Sequence, residues 1–253
     1  MKSSILPVLL LILLSPALAF SQQARFDEAN FLLSQNEYYQ ALDIYKTIAS
    51  DGFESGALWY NMGTIYTTLD SLGMAKYYFL QSREFDETKN EANEALQYVN
   101  ERFDRRSAVL PQLPWDRFFN YLTDRVGPEL LFILAFIFLY GGSTGLITSW
   151  FLTARSKWIR NTGFIMLVLS GLLFSAAFYT DYLEGRYLTG VIIVDEQTVY
   201  QQPDMNAAVI STAYEGYTLR VDAYEGATEE DWSYVRLENG MFGWIRDSAM
   251  EVF

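Results

Sequence analysis

Three kinds of hydrophobic patterning succeed one another along this chain. Between residues 24 and 102 apolar positions recur every three or four residues, the spacing of amphipathic helices. From Leu130 to Leu152, and again from Gly163 to about Tyr182, apolar residues run almost unbroken, as LLFILAFIFLYGGSTG and GFIMLVLSGLLFSAAFYTDY. A helix needs about 20 such residues to cross a bilayer, so each run predicts a membrane span. From Tyr187 onward the pattern alternates in short β-rich runs. The chain is therefore expected to be multidomain: a helical part, a two-helix transmembrane hairpin and a β module.

The link between the two spans, residues 153–162, carries Arg155, Lys157 and Arg160 and no acidic residue. Positive loops stay in the cytoplasm, which places the tip of the hairpin inside the cell. Residues before Leu130 and after Tyr182 then face the other side. Residues 1–19 agree: Lys2, an apolar stretch around LPVLLLILL and Ala17-Leu18-Ala19 read as a secretory signal peptide. An uncleaved signal anchor is the alternative, and it leaves the same topology.

The helical part repeats itself at 34 residues. Ala29 matches Gly63, Ala41 matches Ala75, and Tyr45 matches Phe79. That period is the one of tetratricopeptide helix-turn-helix units. In the second copy Gly63 and Ala75 are expected to let two helices cross closely, with Trp59, Tyr66 and Phe79 filling the space around them. NEANEALQYVNERFDRR suits a terminal helix with a polar outer face. Residues 20–102 thus read as about two repeats with a capping helix. Arrays of this kind hold peptides on the face of their first helices, where Phe26, Asn30, Tyr60, Asn61, Thr64, Glu94 and Tyr98 would lie. None of these is basic, so a clamp for a C-terminal carboxylate is not expected; the residues either line a peptide groove or coat a short scaffold.

Residues 103–129 form a linker broken by Pro111, Pro114 and Pro128. Within it Trp115, Phe118, Phe119 and Leu122 recur at helical spacing. Such a helix can lie in the membrane interface, or pack on the last repeat helix. The spans themselves hold no ionisable residue in their apolar cores, which argues against a transport pathway. The pairs Gly141/Gly145 and Gly171/Ser175 are spaced for close helix packing, between the two spans or against other subunits.

After Tyr187, the runs VIIV, TVY, AVIST, YTLRVDAYE, WSYVRL and FGWIR suggest a small barrel over residues 187–253. Asn239-Gly240 between two of them is a hairpin signal. Tyr200, Tyr224, Trp232 and Phe242 are candidates for an aromatic cleft that takes extended peptides, while Trp244 is expected in the core. A purely structural cap is the competing reading.

Charge narrows the partners. The net charge is −13; residues 20–128 hold 10 basic against 16 acidic side chains, and residues 181–253 hold 4 against 14. Acidic outer parts make nucleic acid and anionic lipid poor partners. With no Cys and no His, disulfides, thiolate chemistry and the usual zinc sites are excluded. The run Glu229-Glu230-Asp231 lacks the spaced oxygens and glycine of a calcium loop. No nucleophile elbow, phosphate loop, paired-carboxylate motif or metal cluster appears, so no enzyme, cofactor or metal is expected.

The order EGYTLRV, acidic turn, WSYVRLENGMFGWI resembles the bacterial Src-homology-3-like fold, with Gly216 at its turn glycine and Gly243-Trp244 ending its hairpin. Tyr200-Gln201-Gln202-Pro203 departs from that family's pattern before its first loop. Taken together, WYNMGTIY, LPQLPWDRFF and GMFGWI in this order resemble the BatE proteins of the Bacteroides aerotolerance operon family. That resemblance implies membrane partners with von Willebrand factor A domains, MoxR-type ATPases encoded nearby and a role in stress tolerance at the bacterial inner membrane, both outer parts periplasmic. The expected function is a non-enzymatic envelope scaffold mediating protein–protein interactions; the alternative is binding or sensing of peptidoglycan.

Overall fold

The computed structural model describes residues 22–253 apart from residues 106, 112–113, 152–155 and 227–228. The expected signal peptide and Arg155 lie outside the described residues. Helix α1 (residues 22–34) pairs with α2 (Tyr38–Ser50), α3 (Gly56–Thr68) with α4 (Leu72–Arg83), and α5 (Lys89–Arg102) follows.

The 34-residue period is visible in the backbone. Asn36 and Asp70, 34 apart, both take positive φ (64° and 60°) at the turn between paired helices. At each turn the chain closes the preceding helix the same way: Glu37 N–H donates to Leu32 O at 2.9 Å, and Ser71 N–H to Tyr66 O at 3.0 Å. These six-to-one bonds satisfy carbonyls that a helix end leaves free, and Asn or Asp tolerates the left-handed turn. Inside the second pair, a Cβ on Gly63 would sit 2.7 Å from the Phe79 ring. The close crossing anticipated at Gly63 is therefore made by Phe79 lying flat over the glycine.

Helices α7 (Gly127–Ser149) and α8 (Ser156–Arg186) pack side by side. Both are long and apolar enough to cross a membrane, and only 17 % of each apolar window is buried, so neither is the core helix of the rest of the fold. The 23 residues of α7 extend about 35 Å, against about 30 Å of hydrocarbon. Their junction differs from the expected 10-residue loop 153–162. Helix α8 is already formed at Ser156, which puts Lys157 and Arg160 on its first turns. Of the two expected pairs of small residues only the first faces the partner helix: a Cβ on Gly145 would lie 3.5 Å from Gly163 Cα and one on Gly141 2.5 Å from Met166 Cε. Gly142 and Gly163 meet, a Cβ on Gly142 falling 2.8 Å from Gly163 O, whereas Gly171 has nothing within 4 Å and Ser175 is exposed. Ser170 Oγ donates across the pair to Ala135 O at 2.9 Å. Gly171 and Ser175 therefore do not join the two spans.

Helix α6 (Pro114–Arg125) packs on this hairpin and not on α5: its Phe119 ring lies 4.6 Å from Tyr179 of α8. Trp115, Phe118 and Tyr121 are left exposed.

The last third is a seven-stranded antiparallel sheet: β1 (Tyr187–Ile192), β2 (Glu196–Tyr200), β3 (Val209–Tyr214), β4 (Thr218–Asp222), β5 (Trp232–Leu237), β6 (Phe242–Arg246) and β7 (Met250–Val252). The order is β3-β2-β6-β5-β4-β1-β7. Asn239-Gly240 does turn β5 into β6: Gly240 has φ +83° and the Asn239 side chain accepts the Met241 N–H at 3.0 Å. Strand β7 is too short to show an alternation, and only its pairing with β1 defines it. Helix α8 passes into β1 without a loop. There Arg186 donates from Nε and Nη2 to Asp222 Oδ2 at 2.8 and 2.6 Å, while Asp222 Oδ1 accepts the N–H groups of Tyr224 and Glu225. Burial pushes the Asp222 carboxyl up, but the guanidinium and the two N–H donors outweigh it and hold it below its usual value. This contribution is present above the unfolded value of 3.8 and is lost as pH falls through the folded value.

Candidate functional site: the cleft between helices and sheet

The helical part and the sheet share one hydrophobic cluster. Leu72, Ala75, Phe79 and Leu80 of α4 and Leu96 and Val99 of α5 pack with Val191 of β1, and Phe103 and Phe253 close the edge. Glycine makes the contact possible. A Cβ on Gly73 would lie 2.7 Å from Ile192 O, and its N–H donates to Glu215 Oε1 at 2.7 Å. That carboxylate sits at the N-terminus of α4, where N–H groups favour an anion, but burial outweighs them and pushes the Glu215 carboxyl up. Gly216, at φ +77°, faces the Phe103 ring, which a Cβ would strike at 2.1 Å. The linker then runs along the sheet, Leu110 N–H donating to Glu238 O at 3.0 Å.

Between α4, α5, the linker and the sheet remains a cleft of about 770 Å³. Its floor holds Lys76, whose Nζ donates to Gly216 O at 2.6 Å and lies 5.8 Å from the Phe103 ring. Burial lowers the Lys76 ammonium. Burial pushes the Glu238 carboxyl up, opposed in part by the charge of Lys76 and by Ser107. The Ser107 hydroxyl is close enough to Glu238 to be felt, yet reaches no partner in hydrogen-bonding geometry. A raised value means that Glu238 favours folding when protonated, below its unfolded value of 4.5, and that this is lost as pH rises through the folded value. Glu238→Gln is therefore expected to raise the melting temperature near pH 8, with the gain fading towards about pH 4. Identical melting curves at both ends would show the carboxyl to be in open water.

The residues expected to line a repeat groove are largely spent inside the fold. Asn30 Oδ1 accepts from Tyr45 Oη at 2.7 Å and from Asn61 Nδ2 at 2.8 Å. Phe26 packs on Tyr45, and Tyr60 on Phe79. Thr64 Oγ1 returns to Tyr60 O. Tyr98 and Glu94 are exposed, and Arg102 donates to the Tyr98 hydroxyl at 2.6 Å. The first-helix face therefore ties Asn30 and Asn61, both half-buried, to each other. Burial pushes the Tyr45 phenol up to about 12, so its hydroxyl stays a donor in need of Asn30. Asn30→Ala should cost about 1–3 kcal/mol, the penalty for orphaning a buried donor. An unchanged urea midpoint would return Asn30 to the groove.

The aromatic residues of the sheet fall differently from expectation. Trp232 is buried, with Tyr200 edge-on at 5.7 Å and the Arg246 guanidinium 4.5 Å above it. Trp244 is half-buried beside Tyr234, on the face opposite Val235 and Ile245, so it is not a core residue. Period-2 alternation puts both on one face: Trp232, Tyr234 and Arg236 share it and pair with Arg246, Trp244 and Phe242. Phe242 remains exposed on that face, under Arg236. Tyr224 is exposed on the turn after β4 and makes no ring contact with the other three among the described residues. The cleft at Lys76 and Glu238 could not be found from periodicity, because α4, α5 and the linker after them meet sheet residues 189, 216–218 and 238, which are far away in the chain.

No protein-family model matches the chain, and no curated protein matches it.

Proposed function

We propose that this chain is a non-enzymatic scaffold of a bacterial cell envelope, anchored by α7 and α8 with its helical and β parts in the periplasm. In this reading the paired helices act as tetratricopeptide repeats and the sheet as a Src-homology-3-like module. The observation that carries it is the hydrophobic cluster shared by α4, α5, β1 and Phe253, with β1 continuing directly from the second of the two apolar helices. It makes one composite binding body at the membrane, not two modules on a tether. The aromatic side chains support the placement: Trp150, Phe151 and Trp158 are exposed at the tip beside Lys157 and Arg160, and Trp115, Phe118 and Tyr121 of α6 are exposed near the other end. Trp and Tyr favour the two membrane–water interfaces, and basic residues the cytoplasmic one. The partners implied by the resemblance are membrane proteins with von Willebrand factor A domains. Affinity capture of the detergent-solubilised full chain from its native membrane should recover such proteins; reproducible recovery of nothing would remove the reading.

A second reading, contact with peptidoglycan stem peptides, has the half-exposed row Tyr234, Trp244 and Phe242 in its favour. The sheet shares its packing with the helices, so the test is co-sedimentation of the full solubilised chain with purified sacculi. Failure to sediment at low salt would dismiss it.

A further inference from the structure

The cleft differs in character from the acidic surface around it. On its α5 wall Asn93, Gln97 and Asn100 occupy one helix face at spacings of four and three. They span about 10 Å, the length of about three residues of extended chain. Each amide has both a donor and an acceptor, the pair that a peptide main chain presents. Asn93 and Asn100 make no side-chain hydrogen bond among the described residues, while Gln97 reaches only the exposed Glu101 at 3.1 Å. At the rims stand Arg83 and Arg105. Arg83 pairs with its chain neighbour Glu84 at 3.7 Å, its one ion pair among the described residues. Arg105 stacks on the Tyr214 ring at 4.0 Å and donates no hydrogen bond among the described residues. Ser107 adds a buried hydroxyl beside Glu238.

We infer that this cleft takes an extended, carboxylate-bearing peptide strand of a partner protein, its main chain on the α5 amides and its carboxylates on Arg83 and Arg105. The inference rests on the scaffold reading and supplies its binding site. Lys76, Arg83 and Arg105 outnumber Glu101 and Glu238 along the cleft, in a chain of net charge −13, and set the charge of the ligand. The repulsion of the whole acidic body is screened within about 8 Å at physiological salt, so short-range pairing at the rims decides. A guanidinium binds a carboxylate in two parallel hydrogen bonds, and Arg105, held flat by Tyr214, is ordered for this before the ligand arrives. The site is distinct from the face of α1 and α3, whose amides are bonded to each other.

The test uses the full chain in lipid nanodiscs and a display library of short random peptides. The triple variant Arg83→Gln, Asn93→Ala, Asn100→Ala changes only partly or fully exposed side chains, and its melting curve checks the fold. Selected peptides should be enriched in Asp and Glu and should bind the variant at least about tenfold more weakly, as expected for one lost charge-assisted contact. Arg83→Lys should recover part of the loss. Peptides without carboxylates, equal binding to the variant, or no enrichment over empty nanodiscs would each overturn the assignment. Affinity capture separates the two levels. Partners recovered by wild type and variant alike keep the scaffold and remove the cleft; partners recovered by neither remove the scaffold itself.

Discussion

Gly73→Val will part the sheet from the helices. A Cβ at position 73 would stand 2.7 Å from Ile192 O and 2.9 Å from Ile193 Cα, and backbone atoms cannot swing aside as a side-chain tip can. Either β1 retreats or the first turn of α4 unwinds. Both break the Gly73 N–H bond to Glu215 and loosen the packing of Val191. Overpacking costs about 1–3 kcal/mol, and a lost hydrogen bond to a charged group about as much again. The expected total, about 3–5 kcal/mol, is a large part of the about 5–15 kcal/mol that holds a domain folded. Thermal melting of the solubilised chain should fall accordingly, and limited proteolysis should newly cut between Phe103 and Pro111. Gly185→Val is the control, since nothing lies within 4 Å of a Cβ there. A Gly73 variant that melts and resists protease like the wild type would show that the two parts do not share a core.

The second large effect lies in the hairpin. Gly163→Leu places a side chain where a Cβ already meets Gly142 O at 3.0 Å and Leu146 N at 3.1 Å. In a membrane, apolar helices associate through close packing, so the loss is not offset by burial elsewhere. A penalty of about 1–3 kcal/mol weakens the pair by about fivefold to a hundredfold. The chain has no cysteine, so cysteines introduced at positions 135 and 170 report on the contact without background. Cross-linking in nanodiscs should drop sharply in the Gly163 variant and remain unchanged with Gly171→Leu, which faces open space. The reverse result would restore Gly171 and Ser175 as the packing residues.

Where the sequence was legible, a local rule applied. A 34-residue recurrence needs only helix period and turn chemistry, and Asn36 and Asp70 repeat the same turn at that interval. Two apolar runs of membrane length follow from hydrocarbon thickness alone, and Asn239-Gly240 from the demand for positive φ. The aromatic residues of the sheet were less legible. Alternation puts Trp232 and Trp244 on the same face, but which of them is covered depends on Tyr200 and Arg246, both brought in from elsewhere in the chain.

By itself, then, the sequence determined the kinds of element, their order and the greasy pair among them, because each is set by residues within a turn or a strand of one another. Packing alone brings Glu215 to the start of α4, bonds Asn30 to Asn61 and sets Lys76 at the floor of a cleft. Those contacts join residues 31 to 142 positions apart. Their energy comes from packing between segments distant in the chain, and no periodicity records it.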